Sequence, residues 1–237
     1  MTRYLMLLIA ALPLVAGSYK ARIEPYEKVT IAAEYGGKVV TLDQRDELKR
    51  LDKRVLVIDH ALESKELSND RRKLQLLEEQ IRIKQRQYNR IKNLKGQSLF
   101  TKERYQNELL TLRMQKRDLL NQIARLEDTI AKKEIRLKNR YLKKLYVRKG
   151  AFVTPGMKLM DVEDIDASRI VLYVDREDIP LLQSGHFRID GKPAGGYRVE
   201  KVGETTDAQY ISSYRVELVK EGAADFGRVV TVETGGE

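Results

Sequence analysis

Two long charged stretches restrict what this chain can fold into more than any other feature. In residues 61–96, Leu67, Leu74, Ile81 and Tyr88 recur every seven positions, with Leu77 and Ile91 on the companion row. Asp70 and Lys84 take the other two places of that row. Residues 102–137 repeat the arrangement with Tyr105, Leu112, Leu119 and Leu126, and with Leu109, Ile123, Ile130 and Leu137 beside them. Lys116 fills the gap in that second row. An apolar repeat of seven flanked by charge is the signature of coiled-coil helices.

The segment KGQSLFTKE joins the two stretches. Gly96 supplies the left-handed conformation that ends a helix, and Thr101 is placed to accept a backbone N–H at the start of the next. The sequence therefore predicts an antiparallel α-helical hairpin over 61–137, each arm about 50 Å long. Such an arm buries one stripe per helix. Each buried Leu or Ile contributes about 1.5–3 kcal/mol, against roughly 1–2 kcal/mol for ordering each residue's backbone. A two-helix arm is marginal alone, which calls for packing beside copies of itself or against a partner.

A hairpin returns its two ends to one place. Before it lie apolar runs at 29–32, 38–42 and 55–58, with a turn at Gly36-Gly37. After it, LYVRKGAFVTPGMKLMDVED alternates apolar and polar residues around Gly150 and Gly156, the pattern of short strands and turns. Two half-motifs of similar layout, split by the arm, predict one small sheet domain interrupted by an insertion. Five further β-rich runs, at 169–174, 186–189, 197–202, 214–219 and 229–232, are separated by turns such as DGKPAGG, and that spacing predicts a small barrel. The first seventeen residues begin with Arg3, continue through an apolar run over 4–16 and end on Val15-Ala16-Gly17. They read as a signal peptide or a retained N-terminal anchor. At about 1.5 Å per residue the apolar run is shorter than the ~30 Å hydrocarbon core.

Composition excludes several classes of function. There is no Cys, so disulfides, Cys-based zinc sites and thiol catalysis fall away. The net charge is +10, but residues 61–140 hold 21 Lys and Arg against 11 Asp and Glu. All the excess sits on the helices, mixed with acids, as on a solvated helix surface, so no nucleic-acid partner is expected. His60 and His186 are too dispersed for a zinc site. Asp175, Glu177 and Asp178 read as acids at a helix N-terminus, and Met157 and Met160 as core. No Walker, dinucleotide or nucleophile-elbow sequence is present. The chain is not expected to be an enzyme or to carry a cofactor.

The second half-motif carries a resemblance. Val147, Gly150, Val153, Pro155-Gly156, Leu159 and Asp164 resemble the pattern of the periplasmic adaptor, or membrane fusion protein, family (HlyD-like). SRIVLYVDREDIPLLQSGH continues it as a first barrel strand, a short helix at 176–182 and Gly185. The first half fits less closely: Asp46-Glu47 and Asp52-Lys53 stand where the family has glycines, and Asp is a turn former. Lys53 is the nearest imitation of a lipoate- or biotin-bearing lysine, but it aligns with an adaptor's structural turn.

The resemblance implies an elongated α+β multidomain chain. A split lipoyl-like β-domain (18–60 plus 138–166) would hold the inserted coiled-coil hairpin (61–137), followed by a small β-barrel (167–237). It implies a periplasmic location associated with the inner membrane, with an inner-membrane transporter (ABC or proton-driven) and a TolC-type outer-membrane channel as partners. Six copies would form a funnel. Adaptors that dock on such channels carry Arg, Leu and Ser at the hairpin tip; here Arg90 and Leu94 match, and Thr101 replaces Ser. Gly96, Ser98 and Phe100 are further tip contacts to test. Phe100 could plug the end of the coiled coil or meet the partner. The rival reading is a stand-alone coiled-coil scaffolding protein of the envelope.

Overall fold

The computed structural model describes residues 17–235 apart from 97, 207, 208, 211 and 223. The chain divides into two compact units. One is Thr30–Asp161; the other is Val162–Glu237 with the residues up to Val29. The boundary falls inside strands β1 (Ser18–Ala32) and β6 (Lys158–Val174).

The unit Thr30–Asp161 contains β2 (Gly37–Leu42), β3 (Lys49–Ile58), α1 (Ala61–Lys92), α2 (Leu99–Lys133), β4 (Glu134–Leu145) and β5 (Phe152–Val153). β2 pairs antiparallel with β3 on one side and β5 on the other, and β3 pairs with β4. Val39 is the point where the two halves meet. Its N–H donates to the Ala151 carbonyl at 2.8 Å, and its own carbonyl accepts the Gly150 N–H at 2.8 Å. Val39, Val147, Val153 and Leu159 are all buried. Strands from both sides of the insertion thus build one sheet, as the split half-motifs predict. Four successive residues of β3, Val55, Leu56, Val57 and Ile58, are buried, so this strand is covered on both faces.

Two local expectations fail here. The second helix stops at Lys133, and Leu137 lies buried in β4, not in the heptad seam. From Glu134 onward the chain pairs with β3, beginning at Val57↔Glu134. Ile135 and Leu137 then fit a period of two, which the left-handed Asn139 (φ 51°) interrupts before the buried Leu142, and Leu137 satisfies both periods at once. Asp52-Lys53 also makes no turn; it lies within β3, at a register shift between Leu51 and Lys53. The turn comes earlier. Asp43 accepts the Arg45 N–H at 2.9 Å, Gln44–Asp46 form one 3₁₀ turn, and Leu48 sits at φ 63°. That left-handed conformation costs a non-glycine residue about 1–2 kcal/mol. The Leu48 N–H, bonded to the Leu142 carbonyl at 2.8 Å, helps to hold it.

α1 and α2 run antiparallel, tied across by Arg71–Glu127 (2.6 Å), Lys116–Glu78 (2.8 Å) and Lys84–Glu108 (2.8 Å). The predicted seam residues are the less exposed ones, with Leu109 and Ile123 buried. Asp70 is also buried in the seam; Lys73 reaches one carboxylate oxygen at 3.2 Å, and the other has no hydrogen-bond partner. The root of the arm is held more firmly. Lys133 is buried, pairs with Glu63, and donates to the Asp59 carbonyl at 3.0 Å. Glu134 takes Arg54 at 2.8 Å and His60 Nε2 at 3.1 Å, while His60 Nδ1 meets Ser64 Oγ at 2.8 Å.

In the other unit, Arg176–Asp178 form a 3₁₀ turn leading into α3 (Ile179–Gln183), then come β7 (Phe187–Ile189), β8 (Lys192–Pro193), β9 (Arg198–Thr206), β10 (Tyr214–Glu221) and β11 (Val229–Thr234). All five predicted β-rich runs fall on strands. β10 pairs with β6 and β9; β11 pairs with Ser18–Arg22 of β1 and with β7. Alternate residues of β6 (Ile170, Leu172 and Val174) join Leu182, Phe187 and Val216 in the core.

Candidate docking site at the arm tip

The tip is built from helix ends. α1 carries Arg90 and Lys92 in its last turn, where cations favour the partial negative charge of the C-terminal carbonyls. Asn93 caps it and the Leu94 N–H bonds the Ile91 carbonyl at 3.1 Å. Gly96, at φ 94°, turns the chain with nothing close to the position a Cβ would take. The cap of α2 is Ser98 and not Thr101. Ser98 Oγ accepts the Thr101 N–H at 3.2 Å and meets the Thr101 hydroxyl at 2.9 Å. The physical reason is position: a cap accepts an N–H two or three residues ahead of it, and α2 begins at Leu99, so Thr101 is already inside the first turn.

These helix ends leave apolar side chains in water. Leu94 is 50% exposed, Leu99 77% and Phe100 74%. Phe100 therefore does not plug the end of the helix pair. Arg90 is exposed as well. The structure thus gathers Arg90, Leu94, Gly96, Ser98, Phe100 and Thr101 around one turn, and adds Leu99, which the heptad reading passed over. Its signal was available: Leu99 lies outside both apolar rows. Just below the turn, Lys84 and Arg104 stand over the Tyr105 ring at 5.7 and 5.4 Å. Lys84, bonded to Glu108, holds that exposed carboxyl below its ordinary range.

No known family pattern matches the sequence, and no curated protein does. Solved structures do. A candidate efflux transporter from Bacteroides eggerthii superposes with TM-score 0.65 at 15% identity, covering 92% of this chain and 68% of that one. The membrane fusion protein Spr0693 from Streptococcus pneumoniae gives 0.65 at 10% identity, covering 93% and 99%. A MacA–MexA chimera containing the Pseudomonas aeruginosa MexA α-hairpin domain gives 0.60 at 16% identity, covering 92% and 80%. The fold is that of the membrane fusion proteins.

Within this membrane fusion protein fold, the other residues singled out by sequence serve structure. His60 bridges α1 to Glu134 at the arm root. His186 is exposed beside Ser184. Asp178 is not simply an acid at a helix start: its carboxylate accepts the Tyr19 hydroxyl, and the Thr234 hydroxyl at 2.8 Å. Burial and that carboxylate together push the Tyr19 phenol up to about 12. Lys53 lies in a strand and pairs with Asp46 at 2.8 Å, not at the tip of a turn. Met160 is core as expected, but Met157 is 41% exposed. Among the described residues, no cluster of three or more His, Asp or Glu is placed to hold a metal, and no helix is long and apolar enough to cross a membrane. Apart from Gly17, the predicted signal or anchor at 1–17 lies outside the described residues.

Proposed function

We propose that this chain is a periplasmic adaptor subunit of a tripartite efflux or secretion transporter. The split sheet is its lipoyl-like domain, the helix pair its coiled-coil hairpin, and the unit containing β6–β11 its small β-barrel. It is associated with the inner membrane and links an ABC or proton-driven transporter to a TolC-type outer-membrane channel. It catalyses nothing; the transporter supplies the energy and the adaptor seals and couples. The observation that carries the reading is an inserted arm whose root is tied down by ion pairs and whose tip presents Leu94, Leu99 and Phe100 to solvent.

Each tip residue has a part. Arg90 offers a planar fork of donors suited to carbonyls or carboxylates on the channel. Leu94 enters a groove as an apolar knob, with Phe100 beside it. Ser98 and Thr101 fix the turn and offer hydroxyls, and Gly96 gives the turn its sharpness. The test is the double variant Arg90→Ala/Leu94→Ala in cells carrying the cognate transporter and channel. Adaptor–channel crosslinking and efflux of a fluorescent substrate are both expected to fall at least tenfold, with the arm still folded by circular dichroism. Wild-type values for both would defeat the docking role.

A further inference from the structure

The two strands at the root of the arm concentrate positive charge that the arm itself does not use. β3 carries four Lys or Arg and β4 five, against one acid each, Asp52 and Glu134. Sequence order keeps the two groups some eighty positions apart, and only strand pairing brings them together. Arg54 stands directly opposite Arg136. Directly opposite residues share a face with Cβ atoms about 4.5–5.5 Å apart, and like charges in that position destabilise the pair. Two residues along β3, Arg50 lies on the same face, opposite Tyr141. All three arginines are exposed.

The two facing guanidiniums differ in their partners. Arg54 Nη1 donates to Glu134 Oε1 at 2.8 Å, and the same oxygen meets His60 Nε2 at 3.1 Å. Glu134 therefore holds the Arg54 fork in place and takes one of its donors. Among the described residues, Arg136 has no hydrogen-bond or ion-pair partner. Together with Ala131 and Glu134, the two arginines line an open cavity of about 510 Å³. A carboxylate, with two oxygens, is matched by a single arginine fork. Two facing forks suit an anion with more acceptor oxygens and more charge, which is a phosphate group. Neither strand exposes a large apolar side chain, so the arginines have no apolar companion to enter a bilayer.

We propose that Arg54 and Arg136 clamp a phosphate group of a soluble molecule at the root of the arm. Arg136 supplies an uncommitted fork, and Arg54 a fork positioned by Glu134. Binding replaces repulsion across the strands with charge-assisted hydrogen bonds. Arg50, next along the face, lies within reach of a second phosphate, so a diphosphate binds more tightly than a monophosphate. The site belongs to the sheet and is independent of the arm tip.

The probe is inorganic pyrophosphate, titrated into the full chain by calorimetry at low salt. One ion per chain is expected, bound at least tenfold more tightly than acetate and more weakly as added salt screens the charges. Arg136→Ala breaks no bond of the fold and should weaken binding at least tenfold with the circular dichroism unchanged. Arg136→Lys should restore only part of that loss, since lysine brings a point charge without the fork. Lys95→Ala, at the arm tip, should bind as wild type does, and so should Arg90→Ala/Leu94→Ala. No heat with pyrophosphate overturns the clamp. Equal weakening by a tip variant also overturns it, because it marks diffuse attraction to a basic chain. Full restoration by Arg136→Lys removes the fork, and acetate binding as tightly as pyrophosphate removes the preference for phosphate. Vesicles containing phosphatidylglycerol give the last arm: wild type and Arg136→Ala should sediment with them equally. A loss with Arg136→Ala would move the ligand to a lipid headgroup and overturn the soluble assignment.

Discussion

The root and the tip of the arm belong to the same two helices and are built on opposite terms. At the root, Lys133 is sunk between Glu63 and the Asp59 carbonyl, and Glu134 gathers Arg54 and His60. At the tip, residues 93–101 hold no carboxylate at all, and the large side chains point into water. Charge buried with its partners fixes geometry, and one partner is costly to remove. Apolar surface left open contributes nothing to the arm's own stability and everything to an encounter. The root is built to hold; under the proposed docking role, the tip is the part that meets a partner.

The sharpest way to break that contrast is at Lys133. Lys133→Ala leaves Glu63 and the Asp59 carbonyl without their cation. It should cost roughly 2–3 kcal/mol in urea unfolding, discounted for the partial exposure of Glu63. A cost under half of that would mean the root is not held by this ion.

Acid should loosen the root by a smaller amount. Burial pushes the Glu63 and Glu134 carboxyls up, but Lys133 on the first, and Arg54 and His60 on the second, outweigh it and hold both below the ordinary glutamate range. A lowered carboxyl contributes stability that is complete above its unfolded pKa and lost as pH falls through its folded one. Hydrogen exchange at residues 59–64 should therefore speed up below the ordinary glutamate range, while protection there at pH 6 and pH 8 is equal. Exchange that is flat down to pH 3 would show these carboxylates to be idle.

Between root and tip, Asp70 is a buried carboxylate with one oxygen unpartnered. Replacing it with Leu should stabilise the arm by roughly 1–2 kcal/mol, since an unsatisfied buried acceptor costs about that much. A lower melting temperature for Asp70→Leu would assign it a partner role. The smallest effect separates the two tip hydroxyls: Ser98→Ala should cost about 1 kcal/mol as a lost helix cap, and Thr101→Ala less than 0.5 kcal/mol. The opposite order would return the cap to Thr101.

How far the sequence could be read follows the range of the interactions involved. The seam was legible because a period of seven is a local pattern, and Leu67 to Ile91 and Tyr105 to Ile130 keep it. The meeting of the half-motifs was legible because a hairpin must bring its ends together. Leu137 was misplaced because a buried strand residue happened to stand at the heptad spacing, and only the pairing of Glu134 with Val57 decides between them. The left-handed Leu48 had no signal, since glycine or asparagine is the usual sign of that conformation. At the tip, Ser98 could have been preferred to Thr101 as the stronger cap, but the choice depends on where α2 begins. The root clamp joins residues some seventy positions apart, such as His60 and Glu134, and no local pattern announces it.

Because Val57 pairs with Glu134 at the foot of the arm, the sheet senses only where the helices leave and return, and not how far they travel. Seven residues inserted at matched points of both helices would lengthen the arm by about 10 Å and leave every strand register as it stands. Reach is therefore a property that lineages, or engineers, can adjust independently of the rest of the molecule.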